Sequence, residues 1–133
     1  NQMREYIIPW HKKIVEVIHA SSKPALMHSC GNVAKVFDDI INDIKFNEKH
    51  SYEDAIIPVE EAYDKWGDRI AILGGIDVDF LSRSTPEKIR ERTEDLIKQT
   101  NGYTSYAVGS GNSIPEYIPY ENYLAMIQAT TEK

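Results

Sequence analysis

The chain has a single cysteine, Cys30, in 133 residues, so no internal disulfide can form and the fold depends on its apolar core. One thiol and no disulfide framework fit a reducing compartment, and a cytoplasmic protein is expected. There is no basic run, and the net charge is −6. A nucleic acid or an anionic membrane surface is therefore not the expected partner. No apolar stretch approaches the roughly 20 residues that a membrane-spanning helix needs. Phosphate-binding loops, the Gly-x-Ser-x-Gly elbow and the dinucleotide fingerprint are all missing. No linker or low-complexity segment breaks the chain. The first residues are polar, unlike a secretory leader. They begin with Asn rather than Met and enter a helix at once, which reads as a piece of a longer protein.

What is present is ordinary globular composition, with 41% apolar and 27% charged residues in a length suited to one domain. Met3 to Ser21 reads as a helix, with Tyr6, Ile7, Trp10, Ile14, Val17 and Ile18 on one stripe. Pro24 to Met27 reads as a buried strand that ends at His28-Ser29-Cys30-Gly31. Asn32 can cap the next helix, which carries Val33, Val36, Phe37, Ile40, Ile41 and Ile44. Lys45 to Lys49 is a weak, polar strand candidate. A helix is expected from about Tyr52 to Trp66, with Ala55, Ile56, Val59, Ala62 and Tyr63 inward.

Ile70 to Leu73 is the clearest buried strand, followed by Gly74-Gly75-Ile76-Asp77. Thr85 and Pro86 open a further helix. Tyr103 to Val108 is the last strand, before the glycine-rich loop Gly109-Ser110-Gly111-Asn112-Ser113. Pro119 then opens the last helix. Strands alternating with helices in this order call for an α/β fold with parallel strands. About four βα units make half of an eight-unit barrel, so residues 1–133 are expected to be a single partial domain. Its open strand edges would need a missing barrel half or a second copy, in a homodimer, to cover them.

In parallel α/β folds ligands bind at the carboxyl ends of the strands. Those ends carry His28, Ser29 and Cys30, then His50, Ser51 and Glu53, then Asp77 and Asp79, then Ser110, Asn112 and Ser113. His28 and Cys30, two apart at a strand end, point to one side and can share a zinc ion, with Glu53 and His50 the nearest further ligands. The plainer alternative makes Cys30 a small packing residue and His28 a hydrogen-bonded turn histidine. Asp77 can bind substrate, polarise a histidine or cap the short helix after it. The amides of Gly109 to Ser113 can cradle an anion, or the loop is a tight turn. Tyr117 and Tyr120 either line a pocket or pack on the surface. His11 and His19 lie on the first helix, away from the strand ends.

Four segments together resemble a known family: Pro24-Ala25-Leu26-Met27-His28-Ser29-Cys30-Gly31-Asn32, Ile72-Leu73-Gly74-Gly75-Ile76-Asp77, Gly109-Ser110-Gly111-Asn112-Ser113-Ile114 and Pro119-Tyr120-Glu121-Asn122. In order and spacing they are similar to the C-terminal half of the uroporphyrinogen decarboxylase superfamily. The resemblance implies the C-terminal half of a (β/α)8 TIM barrel. His-x-Cys at this strand is the mark of the corrinoid-dependent methyltransferase branch. There zinc, held with a second cysteine from the last glycine-rich loop, activates a thiol that takes a methyl group from a corrinoid.

Asn112 stands where that second cysteine is expected, which leaves His28, Cys30 and Glu53 as the implied zinc set. The resemblance further implies Glu53, His50 and Asp77 as catalytic or orienting groups. Gly109, Ser110, Gly111, Asn112 and Ser113 would be the substrate loop, and a separate corrinoid protein the methyl-carrying partner. The alternative within the family is metal-free decarboxylation of a tetrapyrrole in porphyrin biosynthesis, whose key acidic and arginine residues belong to the N-terminal half. A further alternative is a non-catalytic corrinoid- or partner-binding domain. Taken alone, the piece is expected to be inactive.

Overall fold

The computed structural model describes residues 2–102 and 105–131. Four parallel strands alternate with helices: β1 (Leu26–His28), β2 (Glu48–His50), β3 (Ala71–Leu73) and β4 (Tyr106–Ala107), in the spatial order β1-β2-β3-β4. Sequential parallel neighbours joined by helical crossovers make one arc of a TIM barrel. Tyr103 and Thr104, at the start of the expected last strand, lie outside the described residues. No helix among the described residues is long and apolar enough to cross a membrane.

The register sets two faces. Met27, Lys49 and Ile72 stand side by side, as do His28, His50 and Leu73. Because side chains alternate along a strand, the first row faces the helices and the second faces the barrel axis. Met27 and Ile72 are buried among the helices, whereas His28 is exposed on the open inner side.

The first helix begins as a π-helical stretch (Met3–Ile7) and runs on as α1 (Ile8–Ala20). Ile8 and Val15 are its buried contacts with the rest of the chain. Most of the expected stripe lies on the other side: Tyr6, Ile7, Trp10, Ile14 and Val17 are exposed, and of the stripe Ile18 packs partly buried against the core. The spacing identified the apolar face, and its exposed part is not covered by the core of these residues. Asn32 is not the helix cap that was expected: Val33 holds that position without a side-chain bond, and Asn32 Oδ1 accepts from the Ala34 amide at 3.0 Å in a local turn. The helix after it is interrupted, with a 3-10 turn at Ala34–Val36 and a π-helical stretch at Asp39–Ile44.

The helix expected over 52–66 is much shorter: α2 covers Val59–Trp66. Pro58 is the reason. Proline disfavours helical backbone at Ile57 and supplies no amide, so the helix starts after it. Ala55 and Ile56 consequently sit in an exposed loop, while Val59, Ala62 and Tyr63 are buried as expected.

After β3, α3 (Val78–Arg83) is followed by α4 (Pro86–Gln99), whose Thr85 hydroxyl accepts from the Lys88 amide. The last helix, α5 (Tyr120–Thr131), packs along α4. Asn122 joins α5 to α3. It is 2% exposed, and its Nδ2 donates at 2.9 Å to the carbonyls of both Leu81 and Ser84. Asn122→Ala leaves two acceptors unpaired at a helix end. The expected loss is about 2 kcal/mol, read as a lower urea midpoint at unchanged slope.

Candidate functional site

The carboxyl ends of β1 and β2 bring their two histidines together, because His28 and His50 are register partners. His28 Nδ1 and His50 Nδ1 lie 2.8 Å apart. His50 Nε2 lies 3.1 Å from the Ser110 carbonyl oxygen, which can only accept, so this nitrogen carries a proton. In the neutral ring, His50 Nδ1 then accepts, and His28 Nδ1 donates to it. His28 Nε2 is left with a lone pair that faces Cys30 Sγ at 3.6 Å. The relay Ser110, His50, His28 thus fixes both the ring orientation and the tautomer of His28.

Two more groups converge on the sulfur. Ser51 Oγ donates to Cys30 Sγ at 3.4 Å, and Asn112 Nδ2 donates at 3.2 Å. The Asn112 amide is oriented from its other end, since Oδ1 accepts from the Ser113 amide at 2.8 Å. Asn112 therefore approaches the sulfur as a donor. Positive φ at Gly31 (94°) turns the chain immediately after Cys30, which leaves the thiol exposed on the open side of the sheet.

This donor set fits two corners of a zinc site. Tetrahedral zinc holds an imidazole nitrogen and a thiolate sulfur about 3.5 Å apart. His28 Nε2 also has its lone pair free for a metal. Glu53 does not join the pair: among the described residues no three His, Cys, Asp or Glu side chains converge to hold a metal ion. Glu53 instead borders a neighbouring cavity of about 650 Å³, together with Asp77, Gly111, Asn112, Ser113 and Tyr117.

Asp77 caps α3. Its Oδ1 accepts from the amides of Asp79 (2.8 Å) and Phe80 (3.2 Å), and its Oδ2 accepts from the Asp54 amide at 3.4 Å. Of its three readings, the cap is the one these bonds describe. The loop at Gly109–Ser113 turns two of its amides inward, with Gly111 N donating to the Ile76 carbonyl and Ser113 N to Asn112. It is the first part of the long connection from β4 to α5, and it presents the Ser110 carbonyl to His50 and the Asn112 amide to the thiol. Tyr120 is exposed at the start of α5.

Ser51 and Lys49 have roles at this site that the sequence pattern alone does not assign. The available signal was alternation. If His50 faces the barrel axis, Lys49 must face the helices, where a charge needs partners. Lys49 is 2% exposed. Its ammonium donates to the carbonyls of Ser51 (2.7 Å) and His50 (3.3 Å) and lies 4.1 Å from the Tyr52 ring centre. Burial lowers its pKa from 10.5 to about 8, with the charges of Cys30 and Glu53 opposing the shift.

Between about 8 and 10.5 the unfolded chain therefore binds more protons than the folded one, so stability rises with pH. Burial pushes the phenols of Tyr52 and Tyr106 upward. Above about 10 the folded chain keeps protons that the unfolded chain loses, and stability falls. The expected result is a gain of stability between pH 8 and 10, part of a full Lys49 effect on the order of 3 kcal/mol. Urea midpoints measured across that range should rise in the native protein and stay flat in Lys49→Met.

Comparison with known proteins follows the same lines. The family model described as uroporphyrinogen decarboxylase (URO-D) matches residues 1–133. A methylated-thiol–coenzyme M methyltransferase of Methanosarcina mazei is 28% identical over 130 residues, covering 97% of this chain and 32% of the relative. A solved structure of a methyltransferase from Methanosarcina mazei superposes with a TM-score of 0.75 at 22% identity, covering 98% of this chain and 36% of that one. The chain thus spans about a third of the length of the relatives it matches.

Proposed function

The chain belongs to the uroporphyrinogen decarboxylase family, and from that premise we propose that it carries part of the catalytic rim of a methyltransferase that moves a methyl group from a corrinoid to a thiol. The observation that carries this reading is the relay that leaves the His28 Nε2 lone pair facing Cys30 Sγ, the one thiol of the chain. A decarboxylase has no need of an imidazole lone pair turned onto a thiol. The similarity to a methylated-thiol–coenzyme M methyltransferase supports the same branch.

His28 and Cys30 would hold zinc, with the remaining donors coming from Glu53 after a shift of its loop or from outside these residues. Zinc there supplies a Lewis acid that lowers the pKa of an acceptor thiol, so that it reacts as a thiolate. His50 keeps the His28 lone pair turned to the metal position, and Ser51 and Asn112 hold the Cys30 sulfur by donating to it. The cavity beside Asn112 receives the acceptor, with Glu53 at its wall as the group able to take the thiol proton. A methylcorrinoid would supply the methyl group to the acceptor thiolate, whose sulfur lone pair forms the new bond, and the corrinoid would leave with the electron pair of the bond it gives up. The corrinoid comes on a separate protein. A missing barrel half or a second copy covers the open strand edges.

The test is made on the full-length protein purified without chelators. Near-stoichiometric zinc by mass spectrometry, with conversion of a thiol to its methyl thioether by a methylcorrinoid, is the expected result. No zinc together with carbon dioxide release from a porphyrinogen would overturn the reading in favour of tetrapyrrole decarboxylation. Neither activity, with corrinoid binding intact after loss of both His28 and Cys30, would make the protein a binding module.

A further inference from the structure

Lys49 is the buried charge that the proposed chemistry leaves unused. It stands on the helix-facing side of β2, in register with Met27 and Ile72. Both neighbours are apolar and buried, so the position is one that an apolar residue would ordinarily fill. What distinguishes it is the backbone beyond it. Ser51 follows the strand with φ +83°, a left-handed conformation that a side-chain-bearing residue seldom adopts. That turn brings the Ser51 carbonyl to within 2.7 Å of the lysine ammonium and the Ser51 hydroxyl to the Cys30 sulfur. The His50 carbonyl is the second acceptor and the Tyr52 ring face the third support.

We infer that Lys49 is a positioning residue for this site: its ammonium clamps the carbonyls of His50 and Ser51, and so holds the left-handed turn that keeps the Ser51 hydroxyl on Cys30. The inference rests on the reading of Cys30 as a functional thiol, but its consequence can be measured with neither metal nor methyl donor. The lysine acts through Ser51. Losing either residue therefore removes one and the same hydrogen bond to the sulfur. A thiolate accepts hydrogen bonds more strongly than a thiol and is the form that attacks alkylating agents.

The experiment strips the full-length protein of metal with a chelator. It then follows iodoacetamide labelling of the Cys30 peptide by mass spectrometry at neutral pH. Lys49→Met and Ser51→Ala are each expected to slow labelling about threefold to tenfold, the range that one net hydrogen bond supplies. The double variant should be no slower than the slower single variant. A lysine that only supports the fold would loosen the turn when lost and speed labelling of the exposed thiol. Unchanged or faster labelling in Lys49→Met, or two effects that multiply in the double variant, overturns the inference. If Lys49→Met does not fold, Lys49→Gln replaces it, because the shorter neutral amide cannot bridge both carbonyls and the same slowing is expected. If the variants label slowly and the native protein transfers no methyl group, the inference stands and the proposed reaction falls.

Discussion

On the proposed methyltransferase reading, full-length protein carrying Cys30→Ala is expected to bind no zinc and to transfer methyl groups to a thiol more than about 100-fold more slowly. Changes in the groups that surround metal ligands cost roughly 10 to 100-fold in affinity or activity, and removal of a ligand should exceed them. The same scale sets the comparison variant. His50→Phe keeps a ring beside His28 but removes the acceptor of the His28 Nδ1 proton. His28 is then free to place its proton on Nε2, the nitrogen that faces the sulfur at 3.6 Å. A loss of about 10 to 100-fold is expected there, with zinc bound more weakly than in the native protein. Metal analysis and initial rates on the two variants check both numbers. If Cys30→Ala retains zinc and rate, the thiol is a packing residue. If His50→Phe behaves as the native protein does, the relay has no function and His28 finds its orientation elsewhere.

Much of this arrangement was legible before the structure. Alternating apolar runs and helical stripes gave the order of elements, and the residues at the strand ends gave His28, Cys30, His50 and Asn112. What the sequence could not supply was pairing. Nothing local says that Lys45 to Lys49, a polar stretch, contributes a central strand. Its place comes from hydrogen bonds to β1 and β3. Without that pairing the contact between two histidines 22 positions apart is invisible, and so is the burial of Lys49. Glu53 shows the converse. Its place at a strand end and the family resemblance suggested a ligand shared with His28 and Cys30, and here Ser51 turns the chain so that Glu53 borders the adjoining cavity. The short α2 was legible in principle, because Pro58 lay in the middle of the expected helix. The outward-facing stripe of α1 was not: periodicity finds an apolar face, but it cannot say whether the surface that covers it lies within these residues.

Gly75→Ala is expected to be strongly destabilising. Gly75 is buried with φ +117°, where an L side chain is strained. A Cβ there would also stand 2.8 Å from Val59 Cβ and 2.9 Å from Val59 Cγ2, well inside contact distance. Val59 is fully buried at the first turn of α2 and cannot move aside without displacing the helix. Backbone strain of about 1–3 kcal/mol and overpacking of about 1–3 kcal/mol give an expected loss of about 2–6 kcal/mol. That is a large share of the 5–15 kcal/mol on which a domain of this kind rests.

The damage should reach the site. The next residue, Ile76, donates its amide to the Gly109 carbonyl and forms a bridge with Ser110. Ser110 in turn supplies the carbonyl that fixes the His50 proton. A displaced Gly75 therefore shifts the acceptor that sets the whole relay. Chemical denaturation of the full-length protein measures the first effect. Adding Val59→Ala relieves part of the clash, because it removes both methyl groups and leaves the contact with the Cβ of residue 59 and the backbone strain in place. Partial recovery in the double variant is the expected result. A loss below about 1 kcal/mol in Gly75→Ala, or no recovery with Val59→Ala, would mean that the turn after β3 can open away from α2, and that the Ser110 carbonyl is held by the loop of Gly109 to Ser113 alone.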